Sequence, residues 1–544
     1  MKFKNFLWVF KRSKIYKVFS YFNDFKNNSS RYKLIFVVYA LLIIISSLLL
    51  FSPWTQNKEF RGQSIEPISY IDALFQASSA FSDTGLVVVD SYKHWNIFGQ
   101  ALLAILILLG GIGVFALKLF VINWIFRVKN VNLSQINLIN SERGSADVSA
   151  TGKLVITSVK FLLIIILSFG TFLSIYFYFN GPSMTAGMQK FLNNEYVNPK
   201  GDWSMAFRFG FFHTISAINN AGFDIISGNS LMPYYLDYCL QICFIILLFI
   251  GGIGYPTIYD IHKFLVHKIA KKEGRYQFSL FTKVSLATYF IVLLGGIALT
   301  FIFELSNNSP YAFWNLKDNE GQFFYGNNFS KTFALIFSNF STRSAGFATI
   351  NMGDLAPGSI LVFIVLMFIG AAPASTGGGI RTTTFAIVIL TVWAKIIKKP
   401  NIRVFWRQIK NETQVAALQV FIISVILLFI ITLICTSSFD IYRGEIRSGY
   451  NIDALDKFKF DPSKDIVAIK PYTIEHIIFE VSSAFGTTGL STGITKDLNV
   501  ASKIAITILM FIGQFGISST LLVWSKKHNY SNHYKYISSD IAIG

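Results

Sequence analysis

The sequence predicts an all-α polytopic membrane protein, in which eight spanning helices and four re-entrant pore helices form four membrane-pore-membrane repeats around a central pore. The composition indicates a membrane protein, because 53% of the 544 residues are hydrophobic and only 14% are charged. Long apolar runs recur along the chain. Within each successive pair of runs lies a short string with a glycine before a large apolar residue, and this arrangement occurs four times.

The apolar runs are mostly long enough to cross a hydrocarbon layer of about 30 Å. The first follows a basic leader of 33 residues and has no Ala-x-Ala cleavage pattern, so we expect a retained helix rather than a signal peptide. The eight runs lie near 34–52, 99–121, 154–179, 238–255, 284–303, 359–394, 414–436 and 502–524.

A shorter amphipathic stretch precedes each glycine string. These stretches are too short to span a membrane, which predicts half-helices that descend into it and return. The non-helical backbone that follows each one must then face protein or water rather than lipid. The four stretches are about 71–82, 205–218, 330–342 and 473–486.

The four glycines, Gly85, Gly222, Gly346 and Gly489, are separated by 137, 124 and 143 residues. One chain therefore supplies four copies of one loop. Glycine allows a peptide to turn its carbonyl oxygens inward, as a filter that replaces the hydration shell of a cation requires. A cation pore is thus the leading hypothesis. The predicted filter carbonyls belong to Asp83, Thr84, Gly85, Asn220, Ala221, Gly222, Ser344, Ala345, Gly346, Thr487, Thr488 and Gly489.

The second apolar run of each repeat carries a string of small residues, at 108–113, 249–254, 368–373 and 511–516. The strings predict close helix packing and a kink in each run, and their recurrence indicates duplication. The third copy continues as a Gly-rich segment at 370–379, through which a helix cannot run smoothly. A phosphate-binding loop is disfavoured there, because no Gly-Lys-Ser/Thr string occurs. The segment is a candidate gate, formed by Ala374, Ser375, Thr376, Gly377, Gly378 and Gly379.

The net charge of +19 would suit a nucleic-acid partner, but its placement argues against one. The stretches 1–33, 122–153, 257–283, 395–411 and 525–544 together hold 28 basic and 6 acidic residues. The positive-inside rule assigns all five to the cytoplasm, with both termini. Two crossings per repeat keep these basic segments on one side, and the basic loops are also suited to anionic membrane lipid.

The expected organisation follows from these assignments. It comprises a basic cytoplasmic segment at 1–33, repeat 1 at 34–130, repeat 2 at 154–270, repeat 3 at 281–400, repeat 4 at 412–525 and a cytoplasmic tail at 526–544.

Taken together, these strings resemble the Trk/Ktr/HKT superfamily of potassium transporters, most closely the bacterial KtrB/TrkH type. The resemblance runs nearly the full length of the chain. It is carried by the segments 84–95, 212–223, 251–256, 341–347, 375–381 and 483–490.

The resemblance implies one pore per subunit, pairing as a homodimer in the plasma membrane, and control by a cytoplasmic ring of nucleotide-binding RCK subunits of the KtrA/TrkA kind. The chain has no Rossmann-like segment, so we expect no cofactor in it and any nucleotide control to come from that partner. Family members with serine at the first filter glycine tend to admit sodium. Gly85 therefore favours potassium as the transported ion.

Two positions depart from the family pattern. The fourth repeat usually carries a pore-facing arginine where this chain has Gln514, which predicts weaker closure or altered ion block. Asp83 stands where the family has a small or apolar residue. Its carboxylate either attracts cations to the filter or turns behind it to bond the pore helix.

Alternative functions remain at this point. The first keeps the fold and makes the chain a sodium-permeable or sodium-coupled transporter. A membrane-embedded enzyme is disfavoured, because no His-Glu-x-x-His, Gly-x-Ser-x-Gly or intramembrane carboxylate pair occurs. Three cysteines within apolar runs support neither a disulfide framework nor a transition-metal site. A purely structural role would require four glycine loops to be relics.

Overall fold

The computed structural model describes residues 31–121 (without 115, 118 and 119), 148–193, 195–271, 273–318, 320–399, 401–442, 445–448 and 472–524. This part of the chain is helical, with three two-stranded hairpins, and the expected all-α fold class is confirmed. The predictions for most of the basic segments 1–33 and 122–153, and for the C-terminal tail, fall outside the described residues.

The first repeat shows the plan that the others follow. A long helix leads to a short buried one, the glycine string follows, and a second apolar helix leaves it. The short helix begins at Ser69, whose side chain accepts a hydrogen bond from the backbone N–H of Asp72 at 3.2 Å. The elements are α1 (Arg31–Phe51), β1 (Glu59–Phe60), β2 (Gln63–Ser64), α2 (Tyr70–Phe81), α3 (Ser91–His94) and α4 (Ile97–Ile112).

The second repeat bends sharply after its second long apolar stretch. Gly254, with φ of +81°, separates two helices that meet at 103°. Glycine adopts this left-handed conformation without the steric cost of a Cβ, so the helix ends there. The elements are α5 (Val148–Phe179), α6 (Ala186–Leu192), α7 (Trp203–Ile218), a 3₁₀ turn at Met232–Tyr234, α8 (Tyr238–Gly252) and α9 (Tyr255–Ile269).

In the third repeat, residues 369–381 interrupt the apolar run 359–394, as the Gly-rich segment predicts. The elements are α10 (Leu280–Ser306), α11 (Asn328–Ser341), a 3₁₀ turn at Met352–Asp354, α12 (Pro357–Phe368), α13 (Thr382–Ile396), β3 (Arg403–Val404) and β4 (Arg407–Gln408).

The fourth repeat ends in two short helices that meet at Gly516. The elements are α14 (Asn411–Thr436), β5 (Phe439–Tyr442), β6 (Glu445–Ser448), α15 (Ile474–Phe485), a 3₁₀ turn at Ile494–Asp497, α16 (Val500–Phe515) and α17 (Ile517–Trp524).

The second apolar run of each repeat is broken, as the kinks predicted from the small-residue strings indicate. By length and apolar composition, α1, α5, α10 and α14 could each cross a membrane, and α8 with α9 could form a fifth, bent span. The second helices α4, α12 and α16 are shorter apolar helices. The cause is local, because the small-residue strings place a left-handed glycine or a loop where each run would otherwise continue.

The four long helices surround the pore helices α2, α7, α11 and α15. Their outward faces expose large apolar side chains such as Ile45, Leu167, Ile291 and Phe429, whereas the pore helices are largely buried. Apolar surface of this extent suits a lipid environment. The glycine strings therefore lie at the centre of the molecule.

Candidate functional site

The four glycine strings adopt one backbone conformation. In each, the residue two places before the glycine is left-handed, and the glycine itself has positive φ. The first positions are Asp83, Asn220, Ser344 and Thr487, with φ from 45° to 66°, and the glycines Gly85, Gly222, Gly346 and Gly489 have φ from 69° to 87°. Since L residues rarely adopt this conformation, its repetition indicates that the four strings are copies of one structural motif.

Backbone hydrogen bonds connect each loop to the end of its own pore helix. The residue before the glycine donates its N–H to a serine carbonyl in the last turns of that helix. The four bonds are Thr84 to Ser79 at 2.9 Å, Ala221 to Ser216 at 2.8 Å, Ala345 to Ser341 at 2.9 Å and Thr488 to Ser483 at 2.8 Å. The pore helices thus fix the positions of the loops.

The loops meet in a closed ring that follows chain order. A Cβ built on Gly85 would overlap the carbonyl oxygen of Ala221, and one on Gly346 would overlap that of Thr488. The same holds for Gly489 and the carbonyl oxygen of Thr84.

At the remaining junction, a Cβ on Gly222 would lie 2.9 Å from the carbonyl oxygen of Ala345. Each glycine therefore packs against the carbonyl of the next loop, and the fourth loop closes onto the first. Four backbone carbonyls, one per repeat, are brought together where a side chain would not fit.

A cavity of about 150 Å³ opens on one side of this ring, lined by all four glycines. The acids that follow three of the strings are bonded rather than free at its mouth. Asp90 forms an ion pair with Lys496 at 2.8 Å, and Asp354 accepts a hydrogen bond from the Tyr325 hydroxyl at 2.7 Å. Asp224, which lines the cavity, accepts two backbone N–H groups at 3.0 and 3.1 Å.

The candidate gate loop lies directly against the ring on its other side. The N–H of Gly378 donates to Thr487 Oγ1 at 2.6 Å, and a Cβ on Gly377 would lie 2.6 Å from that of Ser344. Both partners are the left-handed residues of their glycine strings. Ser375 through Gly379 are buried, so this segment fills the space beneath two of the four loops.

The same loop is held to the second repeat. Thr376 Oγ1 donates to the carbonyl oxygen of Gly251 at 3.2 Å, and the N–H of Tyr255 donates to that of Ala374 at 2.9 Å. The loop therefore bridges the break between α8 and α9.

The two departures from the family pattern meet at this loop. Gln514 Nε2 lies 3.2 Å from Asp83 Oδ2 and 3.0 Å from the carbonyl oxygen of Thr376. The Asp83 carboxylate is buried and contacts the fourth repeat through Gln514. One amide group thereby connects the first glycine string to the candidate gate loop.

Arg381 and Lys496 belong to the site although the sequence analysis gave neither a role. Arg381 donates to the carbonyl oxygens of Gly377 and Gln514, the latter at 3.2 Å. A charge within an apolar run is expensive unless it is bonded, and this rule could have identified Arg381. Lys496 lines the cavity on the opposite side, and no local pattern marks it.

Arg343 holds the base of the gate loop. Its guanidinium is buried and donates to the carbonyl oxygens of Leu366, Ile369 and Gly370, the last at 2.8 Å. The guanidinium also lies 5.2 Å from the ring centre of Tyr289. It therefore joins the third pore helix to the point where α12 ends.

We expect Arg343→Met to destabilise the protein by about 3 kcal/mol or more, because the change leaves buried carbonyls without their charged donor. A lower midpoint of thermal unfolding in detergent would show this loss. Arg61→Met is the matched control, since Arg61 is exposed and donates to the carbonyl of Tyr196 at the surface. Equal midpoints for the two variants would contradict the structural role of Arg343.

Comparison with known proteins assigns the chain to a family. The sequence matches the family described as "TrkH: Cation transport protein" over residues 9–441 and 462–536. It is 31% identical to the uncharacterized cation transporter MG322 of Mycoplasma genitalium, over 94% of this chain and 96% of that protein. It is 32% identical to the Ktr system potassium uptake protein D of Bacillus subtilis, over 88% of this chain and 90% of that protein.

The fold is similar to the crystal structure of the potassium transporter TrkH from Vibrio parahaemolyticus, with a TM-score of 0.58 and 15% identity, over 92% of this chain and 86% of that one. A similarity at this identity concerns the fold. The family match and the two relatives, each over most of both chains, carry the assignment. The protein therefore belongs to the TrkH family of cation transport proteins.

Proposed function

We propose that this protein takes up potassium across the plasma membrane, with the ion coordinated by backbone carbonyls of the four glycine loops. The observation that carries the proposal is the closed ring in which each filter glycine packs against a carbonyl of the next loop. Inward-facing carbonyl oxygens replace the hydration shell of a weakly hydrated cation. The Bacillus subtilis relative is a potassium uptake protein by name, which supports the same ion.

The filter would comprise the three residues of each string up to its glycine. The backbone there is fixed from two sides, since pore-helix carbonyls hold the N–H groups and the neighbouring loop leaves no room beside each glycine. Preorganised carbonyls need little rearrangement when an ion arrives. The side chain of Asp83 would act from below the filter through Gln514, whereas its backbone carbonyl would belong to the filter.

The loop Ala374–Gly379 would gate the pathway. It is buried against the filter strings at Thr487 and Ser344, and Gln514 and Arg381 restrain it by hydrogen bonds. Conduction would require the loop to leave this position, because the space below the ring is otherwise filled. We infer that the structure represents a closed state.

The remaining organisation follows from the charge distribution and the family. The basic segments would face the cytoplasm together with both termini. We propose a homodimer controlled by a cytoplasmic RCK-type subunit, with no cofactor in this chain. Exposed apolar surface on α1, α5, α10 and α14 would contact membrane lipid.

Potassium flux into proteoliposomes that contain the purified chain tests the proposal, with sodium as competitor and protein-free vesicles as control. We expect uptake that depends on potassium and persists in a tenfold excess of sodium, about the discrimination that 1.4 kcal/mol provides. Equal inhibition by both ions would favour a sodium-permeable transporter instead. Absence of flux from both the intact chain and a chain lacking Ala374–Gly379 would contradict a pore.

A further inference from the structure

Helix α9 has the features of a helix that lies along a membrane surface. It leaves α8 at 103°, so if α8 crosses the membrane, α9 runs nearly parallel to its plane. Its last turns expose large apolar side chains, including Leu265, Val266 and Ile269, of which Ile269 is 80% exposed. An exposed apolar face beside a basic one is typical of interfacial helices.

A cleft of about 550 Å³ lies between α9 and the first turns of α5. Its polar lining is basic and aromatic, whereas Ile156 and Val266 form an apolar side. No carboxylate is among the described residues that line it. The polar lining comprises Lys153, Thr157, Tyr259, His262, Lys263, His267 and Tyr276.

Some of these groups are already oriented. Lys263 Nζ lies 4.4 Å from the ring centre of Tyr259, and His267 Nε2 lies 2.9 Å from the carbonyl oxygen of Gly274. The aromatic ring restricts the lysine side chain, which lowers the entropy lost when the ammonium group binds an anion.

The nearest acid on α9 does not neutralise the cleft. The Asp260 carboxylate accepts hydrogen bonds from the Tyr276 hydroxyl at 3.1 Å, the Ser279 N–H at 2.9 Å and Thr282 Oγ1 at 2.7 Å. These three donors hold it against the connection to α10. Lys153 and Lys263 are both exposed, so two positive charges face the cleft.

We propose that this cleft binds the phosphate headgroup of an anionic phospholipid. Lys153 and Lys263 would contact the phosphate, the His262 N–H and the Thr157 hydroxyl would supply further donors, and an acyl chain would follow Ile156 and Val266. The apolar side of the cleft and the exposed face of α9 select a lipid over a soluble anion, because a free phosphate would leave both in water.

The test titrates the full-length chain in neutral detergent with short-chain phosphatidylglycerol and follows the midpoint of thermal unfolding. Short-chain phosphatidylcholine and glycerol 3-phosphate serve as the uncharged-lipid and soluble-phosphate arms. The variant is Lys153→Gln with Lys263→Gln. Its matched control is Lys268→Gln with Lys271→Gln, which removes the same charge from exposed residues of α9 and its connection.

We expect phosphatidylglycerol alone to stabilise the unmodified chain, with an effect that saturates. Each cleft lysine removed should lower the affinity for phosphatidylglycerol roughly fivefold. The control variant should keep the affinity of the unmodified chain. Equal weakening in both variants would overturn the site in favour of diffuse charge attraction. Equal stabilisation by glycerol 3-phosphate would overturn the lipid assignment, and equal stabilisation by phosphatidylcholine would overturn headgroup recognition. Since no ion flux is measured, the result is independent of the proposed transport function.

Discussion

Gly85→Ser is expected to reduce the discrimination between potassium and sodium by about tenfold, equivalent to about 1.4 kcal/mol. A Cβ at this position would overlap the carbonyl oxygen of Ala221, so the first and second loops must move apart. Displacement at one of four junctions disturbs the ring for every ion that passes. The measurement is the ratio of potassium to sodium flux in proteoliposomes, compared with that of the unmodified chain.

Gly62→Ser separates crowding from backbone strain. Gly62 has φ of +80°, close to the +87° of Gly85, but a Cβ there would have no atom within 4 Å. Both variants therefore carry the penalty of a side chain in a left-handed conformation, about 1 kcal/mol, and only one disturbs the ring. If the flux ratio were unchanged in Gly85→Ser, or fell equally in Gly62→Ser, the proposed filter would be wrong.

Deletion of Ala374–Gly379 is expected to raise potassium flux at least tenfold, because it removes the buried segment that lies below the proposed filter. A tenfold rise corresponds to an energy barrier lower by about 1.4 kcal/mol. The deletion leaves residues 370–373 to connect Ile369 with Ile380, two residues that form a β-bridge in the intact chain. The rate of potassium uptake at fixed protein content, measured without any regulatory subunit, checks the expectation.

A smaller change tests the same restraint without shortening the chain. Gln514→Leu removes the hydrogen bonds to Asp83 and Thr376, so flux should rise with the flux ratio of the two ions unchanged. Gln241→Leu is its control, because Gln241 is a buried glutamine in α8 that bonds the carbonyls of Tyr234 and Tyr235 instead. Flux that is unaltered by the deletion would remove the gate assignment.

The repeat architecture was predictable because its signals are local. Apolar length marks the long helices, shortness marks the pore helices, and the glycine strings mark the sites where a Cβ is excluded. The small-residue strings mark the breaks in the second apolar runs, which hydropathy alone does not reveal. Hydropathy sums over a window and does not register that a left-handed residue such as Gly254 ends a helix inside an apolar run.

The order of the ring and the contacts below it could not be read in this way. Gly489 packs against Thr84, and Gln514 reaches Asp83 from a helix more than 400 residues away in the chain. Such contacts depend on how four repeats close around one axis, which no local periodicity encodes. Arg343 illustrates the same limit, since its carbonyl partners lie at the end of α12 rather than in its own loop.

The sequence by itself determined the membrane class, the four repeats, the glycine positions and the interruption at 370–379, because composition, length and the steric demands of glycine act over short stretches. Only the tertiary structure decided which carbonyl each glycine faces, which residues of the glycine strings the interruption contacts, and that Asp83 is held by Gln514. These features arise from packing between distant segments, where the close fit of buried backbone and the need to satisfy every buried polar group select one arrangement.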